Sequence, residues 1–252
     1  MKTFITKSKT AGDKTAFKII KNLILKKPDS LIGFAVGKTT DGLYKLITND
    51  VLKNPKTWSK LKLFQIDENL GKGPESKLSF NNEIIIKLKS LINQLNPKNI
   101  FLIDGLKKSK TIITNGYRFI KNNKGIDLII LGLGPEYDPH IAYNTKGKSN
   151  INSGFRVVSL HSQTIKKLRG KLKSICGTEK DKVTPTKGIT LGIKDILETR
   201  KALLIAYGKE KAKSLHIAFN RKVDTKKSSA SALQLHKNLI VVTDKEAGKY
   251  LT

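Results

Sequence analysis

The sequence predicts an α/β fold built on an open, mainly parallel sheet with helices on both faces, a Rossmann-like three-layer αβα arrangement. Two observations lead to this prediction: short apolar runs of strand length recur along the chain, and longer segments with helical spacing separate them. Parallel strands need a long crossover between them, so strands that alternate with helices predict βαβ units. No repeat and no long linker interrupts the 252 residues, and we therefore expect a single domain over 1–252.

The predicted elements follow one another in chain order. Apolar residues from 16 to 24 recur at the i, i+3, i+4 and i+7 spacing of an amphipathic helix, and further helices are expected over 42–53 and 80–95. The apolar runs that predict strands are 31–36, 61–66, 100–103, 126–133, 157–160, 202–207 and 239–243. Ligands of such sheets bind beyond the carboxyl ends of the strands, so a functional site is expected in the loops that follow these runs.

The charge of the chain limits the classes of function. The formal net charge is +29, which attracts polyanions in general. Lysines are scattered through almost every segment, arginine occurs only at positions 118, 156, 169, 200 and 221, and the aromatic fraction is 6%. This distribution favours a lysine-rich solvated surface over a nucleic-acid interface, because arginines and aromatic platforms are what base recognition uses. Attraction of small anionic substrates is a useful by-product.

The cysteine content and the N-terminal segment predict a cytoplasmic protein without a membrane partner. Cys176 is the one cysteine, so no intramolecular disulfide and no CxxC site is expected, and it is given no role. Lys2, Lys7, Lys9 and Lys14 interrupt the N-terminal segment before an apolar run of signal-peptide length forms. No stretch approaches the roughly 20 apolar residues of a membrane helix.

The loop after the first apolar run has the composition of a phosphate-binding turn. Residues 37–42 read Gly-Lys-Thr-Thr-Asp-Gly and lead into a predicted helix. Backbone N–H groups at a helix start, assisted by the Thr hydroxyls and Lys38, can hold a phosphate. Gly33 and Gly37 are too close for a nucleotide P-loop, which needs four residues between its glycines. Taken alone, the fragment also fits a plain strand-to-helix turn.

Two acids, Asp67 and Glu68, directly follow the run 61–66. A carboxylate at the end of a buried strand is partly desolvated, which raises its pKa and makes it a better base toward a carbon next to a carbonyl. An isolated Asp-Glu pair of this kind is also compatible with a helix cap or an ordinary loop carboxylate.

Three titratable residues, Glu136, Asp138 and His140, lie within five positions after the most apolar run, 126–133. An imidazole oriented by a carboxylate is a proton shuttle near neutral pH. No second histidine lies nearby, so no metal site is predicted. The pattern indicates chemistry without naming the reaction.

Taken together, these loops resemble the glucosamine-6-phosphate deaminase family, whose relatives include the 6-phosphogluconolactonases. The resemblance runs in the family's order from about residue 30 to the end of the chain. The matching fragments are Gly-Lys-Thr-Thr at 37–40, Asp-Glu at 67–68, Pro-Glu-Ser at 74–76, Gly-Leu-Gly at 132–134, Asp138, His-Ile-Ala-Tyr-Asn at 140–144, Gly-Lys-Glu-Lys-Ala at 208–212 and Leu-Gln-Leu-His at 233–236.

The resemblance implies a role for each site residue. Asp67 would move a proton between C2 and C1 of the open-chain sugar, and His140, oriented by Asp138, would exchange a proton with the ring oxygen. The family has a Glu where Thr145 stands, and we hypothesise that Glu136 takes its place. The residues implied to bind the substrate phosphate are Gly37, Lys38, Thr39, Thr40, Lys211 and Arg169. The chemistry requires no cofactor.

The resemblance implies an enzyme that isomerises and deaminates a phosphorylated amino sugar, glucosamine or galactosamine 6-phosphate. Lactone hydrolysis on a phosphosugar acid is the first alternative, because that reaction also needs a phosphate loop and a His. The sequence at 140–144 favours the deaminases, since lactonase relatives usually follow the His with Thr-Ala-Ser, whereas Thr145 favours the lactonases. A sugar-phosphate sensor, a general polyanion-binding protein and a homo-oligomer are left open.

Overall fold

The structure is a computed structural model that describes residues 1–175 and 183–251, so Cys176 lies outside the described residues. The strands in chain order are β1 Lys2–Thr6, β2 Leu31–Phe34, β3 Lys62–Gln65, β4 Asp67–Asn69, β5 Ile100–Phe101, β6 Leu128–Gly132, β7 Arg156–Ser159, β8 Lys187–Thr190, β9 Ala202–Ala206 and β10 Leu239–Asp244. The α-helices are α1 Lys9–Lys26, α2 Asp41–Lys53, α3 Pro55–Trp58, α4 Phe80–Lys87, α5 Lys89–Gln94, α6 Ser109–Asn122, α7 Ser162–Ser174, α8 Ile193–Leu197 and α9 Ala212–Phe219.

The centre of the fold is a seven-stranded sheet with the order β1-β10-β9-β6-β2-β3-β5. Every pairing of neighbouring strands in this sheet is parallel. β9 and β10 are buried along their whole length, as expected of parallel strands covered on both faces. The predicted α/β fold with a mainly parallel sheet is therefore confirmed.

Apolar side chains form two separate cores, one on each face of this sheet. Ile129 and Leu131 belong to one core and their neighbours Leu128 and Ile130 to the other, because successive side chains of a strand point to opposite faces. Residues of α6, α8 and α9 complete the first core, and residues of α1, α2 and α5 complete the second. The sheet thus lies between two helical layers, which is the predicted three-layer arrangement.

A second, smaller sheet is absent from the sequence predictions. It is antiparallel, with the order β4-β8-β7. The run 157–160, predicted as a strand of the parallel sheet, lies mostly in β7 and so belongs to this small sheet instead. The side chains of β7 alternate between half-buried and exposed, a pattern typical of an antiparallel strand with one face in water.

One further prediction needs correction, and one strand was not predicted. The expected helix over 80–95 is divided at Leu88, whose φ of −117° and ψ of 25° depart from helical values and separate α4 from α5. Strand β1 carries only two apolar residues, Phe4 and Ile5, and lies at the edge of the sheet, so its sequence signal is weak. No helix within the described ranges is long and apolar enough to cross a membrane.

Candidate active site

The loops at the carboxyl ends of β2, β3 and β6 surround one cavity of about 370 Å³. Such crevices are where parallel α/β sheets bind ligands. Helix α7 supplies a further wall. The predicted site residues that line this cavity are Gly37, Thr39, Thr40, Asp67 and His140. The topology therefore brings together side chains from three loops that are far apart in the sequence.

Asp67 is the first residue of β4, directly beyond the carboxyl end of β3. Its side chain lines the cavity, yet the residue is only 6% exposed. Burial raises the pKa of Asp67 to about 8, and the negative charges of Glu68 and Glu83 add to this effect. No hydrogen bond to the Asp67 carboxylate comes from the part of the chain that the structure describes. Asp67 is thus a buried carboxyl group that can exchange a proton near neutral pH.

His140 and Asp138 form a hydrogen-bonded pair in the loop after β6. His140 Nδ1 lies 2.9 Å from Asp138 Oδ2, and the backbone N–H of Lys146 donates to Asp138 Oδ1 at 2.9 Å. Burial opposes ionisation of Asp138, but the bonds from His140 and Lys146 outweigh it and lower the pKa of this carboxyl group. Because an ionised carboxylate only accepts hydrogen bonds, His140 Nδ1 carries the proton and Nε2 is the nitrogen available to a ligand.

The same loop is closed tightly by Gly134, which explains how the pair is aimed. The Gly134 N–H donates to the carbonyl of His140 at 2.8 Å. A Cβ atom at this position would lie 2.3 Å from the carbonyl oxygen of Asp138, so a larger residue would push the loop apart. The close approach turns the imidazole of His140 toward the cavity, where it is 20% exposed.

The predicted phosphate loop forms a short 3-10 turn, Lys38–Thr40, that runs directly into α2. Gly37 begins the turn with a φ of 147°, a value that side chains disfavour. Gly37, Thr39 and Thr40 line the cavity, whereas Lys38 lines a separate cavity of about 270 Å³ next to Tyr207. The structure therefore brings three of the four loop residues to the site.

Lys211 reaches the edge of the site from the turn after β9. Its Nζ donates to the carbonyl of Leu133 at 2.7 Å, and Leu133 lines the cavity. Burial lowers the pKa of Lys211; Glu210 opposes this effect and Lys167 adds to it by repulsion. The ammonium group is thus anchored at the rim of the cavity with a second cation nearby.

Helix α7 contributes two cations that the sequence analysis does not name. Lys167 and Lys171 line the cavity, whereas Arg169 lines an outer groove with Lys166 and Lys173. Residues 167 and 171 lie four positions apart on one face of a helix, and residue 169 is turned about 200° away from residue 167. The helical spacing of 162–174 is the signal that would have identified the two lysines.

Glu136 is not part of the cavity lining. It lies on the surface, where its carboxylate pairs with Lys213 at 3.2 Å. Thr145, which stands at the family's Glu position, lines a neighbouring cavity of about 210 Å³ instead. The hypothesis that Glu136 replaces the missing carboxylate therefore finds no support in the geometry.

Aromatic side chains that the sequence analysis leaves aside form part of the wall. Tyr143 and Phe80 line the cavity with ring centroids 5.5 Å apart, and the Tyr143 hydroxyl donates to Asn69 Oδ1 at 2.8 Å. This bond joins the loop that carries His140 to the strand that carries Asp67. Among residues 1–175 and 183–251, no group of three or more His, Cys, Asp or Glu side chains is arranged to hold a metal ion.

Known proteins resemble the chain over nearly its full length, although no family model matches it. A glucosamine-6-phosphate deaminase of Clostridium botulinum strain Langeland is 35% identical over 240 residues, which are 94% of this chain and 93% of that protein. A solved monomeric glucosamine-6-phosphate deaminase has a TM-score of 0.87 at 24% identity, covering 99% of this chain and 100% of its own. A 6-phosphogluconolactonase from Trypanosoma brucei has a TM-score of 0.72 at 16% identity, covering 100% and 98%. The two structural similarities show the fold.

Proposed function

The chain belongs to the glucosamine-6-phosphate deaminase family of enzymes, and from this premise we propose that it converts a hexosamine 6-phosphate and water into a ketose 6-phosphate and ammonia. The observation that carries the proposal is one cavity that combines the Asp67 carboxyl group, the His140 imidazole and the cations of α7. A carbon acid, a ring oxygen and a phosphate each need one of these groups in an isomerisation of a phosphorylated sugar.

The phosphate of the substrate binds at the cationic end of the cavity. Lys167 and Lys171 face the cavity, and the ammonium of Lys211 is anchored at its rim. The turn at 37–40 adds backbone N–H groups and hydroxyls at the start of α2. Three ammonium groups and a helix N-terminus suit the two negative charges of a phosphate monoester. Arg169 faces the outer groove and is left out of this proposal.

His140 assists the opening of the sugar ring. Opening breaks the bond between C1 and the ring oxygen, which gains a proton while the C1 hydroxyl loses one. His140 Nε2 faces the cavity and Nδ1 is held by Asp138, so the imidazole can relay this proton without turning. The result is the open-chain aldehyde, whose C2 proton is acidic.

Asp67 carries the next proton transfer. Its carboxylate takes the proton from C2 while the aldehyde oxygen gains a proton, which gives an enolamine. The proton is then returned to C1 while the nitrogen loses a proton, and the product is an imine at C2 with a hydroxyl group on C1. Water then adds to C2 and ammonia leaves. A carboxyl group whose pKa is raised to about 8 is a stronger base than an ordinary aspartate, and it can both take up and release a proton near neutral pH.

The test is ammonia release by the purified protein from glucosamine 6-phosphate and galactosamine 6-phosphate. Asp67→Asn is the inactive variant, and Asp29→Asn is the matched control because Asp29 is 58% exposed and remote from the cavity. Release that is lost only in Asp67→Asn supports the proposal and names the epimer. No release from either sugar by the wild-type protein contradicts it.

Lactone hydrolysis is a second candidate, favoured by one observation. The family's Glu is absent at Thr145, and the Asp138–His140 pair is sufficient to activate a water molecule toward a lactone carbonyl. The same assay with 6-phosphogluconolactone separates the two functions. Lactone hydrolysis that persists in Asp67→Asn, without ammonia release in the wild type, would identify the lactonase.

Two related proposals concern the location of the protein and its binding partners. We propose a cytoplasmic location, supported by the single cysteine, since proteins of oxidising compartments commonly carry disulfides. We also propose a phosphorylated amino sugar as its partner and no nucleic acid, supported by the scattered lysines and the few arginines. Retention on nucleic acid that sugar phosphate does not change would contradict the latter.

A further inference from the structure

Glu68, the residue next to Asp67, is a fully buried carboxylate that the mechanism does not use. Its two oxygens accept five hydrogen bonds. The donors are Asn69 N at 2.6 Å, Asn81 N at 2.7 Å, Ser79 Oγ at 2.8 Å, Phe80 N at 2.8 Å and Gln65 Nε2 at 3.0 Å. Both oxygens are thus fully committed as acceptors, which distinguishes this carboxylate from that of its neighbour.

The hydrogen-bond partners of the two carboxyl groups determine which of them is protonated more readily. Burial raises the pKa of Glu68, and the bonds from Asn81, Phe80 and Ser79 oppose this rise without cancelling it. A protonated Glu68 would turn its O–H toward a ring of donors, because all five partners are N–H or O–H groups. Asp67 receives no such bonds from the residues described and faces the cavity. The proton therefore goes to Asp67.

We propose that Glu68 is a positioning residue that stays ionised in the core and thereby makes Asp67 the carboxyl group that exchanges the proton. This inference rests on the proposed role of Asp67 in the reaction. Two negative charges on adjacent residues in a buried site repel each other, so ionisation of Asp67 becomes less favourable while Glu68 is charged. Glu68 acts on the substrate only through Asp67, since it does not line the cavity.

The same carboxylate also fixes the position of Asp67. Ser79 caps the start of α4, and Glu68 binds the backbone N–H groups of Phe80 and Asn81 in the first turn. Gln65 Nε2 bridges the Glu68 carboxylate and the carbonyl of Asp67. One residue therefore joins the end of β3, strand β4 and the start of α4 around the proposed base.

Other ionisable groups surround the pair and define the background against which Glu68 acts. Glu83 of α4, which also raises the pKa of Asp67, shares the ammonium of Lys87 with Asp41 of α2, and this pairing reduces the effect of the Glu83 charge. The other titratable groups described near Asp67 or across the cavity are Tyr44, Tyr137, Tyr143, His140, Lys167 and Lys171. After burial, Glu68 is the largest contributor to the raised pKa of Asp67, ahead of Glu83.

The first experiment is the pH profile of kcat/KM for ammonia release by the Glu68→Gln variant. Removing the charge lets Asp67 ionise more readily, so the acid limb of the profile is expected to move to lower pH by about one unit. Ser79→Ala is the matched control, since it removes one bond to Glu68 and the cap of α4 but leaves the charge. Glu83→Gln is expected to shift the limb less. An unmoved limb in Glu68→Gln, or an equal shift in Ser79→Ala, would overturn the proposal.

A second measurement does not depend on turnover. The carboxyl carbon of Asp67 is followed by 13C NMR through a pH titration of the substrate-free protein, and Asp67→Asn identifies its signal. Titration near pH 8 in the wild type, moved to lower pH in Glu68→Gln, supports the proposal. Wild-type titration near pH 4 overturns it even if Glu68→Gln does not fold. A wild type without ammonia release but with the high titration would refute only the proposed function.

Discussion

Asp127 and Asp67 are both buried beside the central sheet, 4% and 6% exposed, but they lie at its opposite ends. Asp127 immediately precedes β6 at the amino end of the strands. It accepts hydrogen bonds from Lys27 at 2.8 Å, Arg200 at 3.1 Å and the N–H of Leu31 at 2.9 Å. Asp67 follows β3 at the carboxyl end, and its carboxylate faces a cavity. A buried aspartate thus has hydrogen-bond donors around its carboxylate at one end of the sheet and an open cavity at the other.

The difference teaches that the partners of a buried charge, more than its burial, separate a structural carboxylate from a reactive one. At Asp127 two cations and a backbone N–H satisfy the charge, which joins α1, β2 and β6. At Asp67 the negative charge of Glu68 raises the pKa, so the Asp67 carboxylate takes up a proton more readily. Reactive sites are commonly places where local stability is given up for chemistry.

The largest expected effect is at the carboxyl end of the sheet. Asp67→Asn is expected to lower kcat for ammonia release on the order of a thousandfold, the contribution of a general base, without lowering the melting temperature. Steady-state kinetics and thermal unfolding of the same preparation measure both. A variant that keeps near-wild-type kcat, or that loses activity only because it unfolds, would remove the contrast.

The opposite result is expected at the amino end. Asp127→Asn leaves the cations of Lys27 and Arg200 without their carboxylate and is expected to reduce the free energy of unfolding by about 2 kcal/mol. Activity per folded molecule should stay unchanged, because the residue is remote from the cavity. Urea unfolding and kinetics at saturating substrate test this. A lowered kcat in fully folded Asp127→Asn would show that the two ends are coupled.

Two cations show the same contrast between a structural and a functional position, and a smaller effect on activity is expected from their substitution. Arg200 has Asp127 as its partner, whereas Lys171 faces the cavity from α7. Lys171→Ala is expected to raise KM for the sugar phosphate about tenfold, since a charge-assisted bond to phosphate is lost. Arg169→Ala, two residues away on the outer face, is the matched control and should leave KM within about twofold. Equal effects of both substitutions would indicate only long-range attraction.

The pH dependence of stability is the most direct test of a carboxyl group that receives no hydrogen bond from the described residues. Burial raises the pKa of Asp67 to about 8, so the folded chain holds this proton more tightly than the unfolded chain does. The resulting stabilisation is complete below about pH 4 and is lost as the pH rises toward 8. Wild-type stability should therefore fall relative to Asp67→Asn across this window in urea titrations. Parallel curves for the two proteins would contradict the raised pKa.

Much of the fold could be predicted because strands and helices have a local periodicity that the chain displays. The runs 31–36, 126–133 and 202–207 became strands of the parallel sheet for this reason. β1 escaped prediction because an edge strand needs little apolar surface, and its partner β10 is more than 200 residues away. The run 157–160 was assigned to the wrong sheet, because strand pairing is decided by distant residues.

The candidate site also contains features that the sequence predicted and features that it did not. Asp67, Asp138 and His140 lie in segments that come after β3 and β6, so the convergence of Asp67 and His140 at one cavity was predictable from the topology of a parallel sheet. The catalytic roles of these residues stay predictions. Glu136 lies only four positions before His140, yet it turns to the surface and pairs with Lys213. The direction of a loop side chain depends on packing that sequence spacing does not encode.

By itself, then, the sequence determined the layered α/β fold, the end of the sheet where the cavity lies and two titratable residues that line it, Asp67 and His140. Those features depend on local periodicity and on the chain order of strands and loops. The tertiary structure alone decided that Lys171 lines the cavity and Arg169 does not. It also decided that the Glu68 carboxylate meets five donors, whereas the Asp67 carboxylate meets none among the described residues. These features depend on which groups share a buried volume, and burial and hydrogen bonding are set by contacts between segments far apart in the chain.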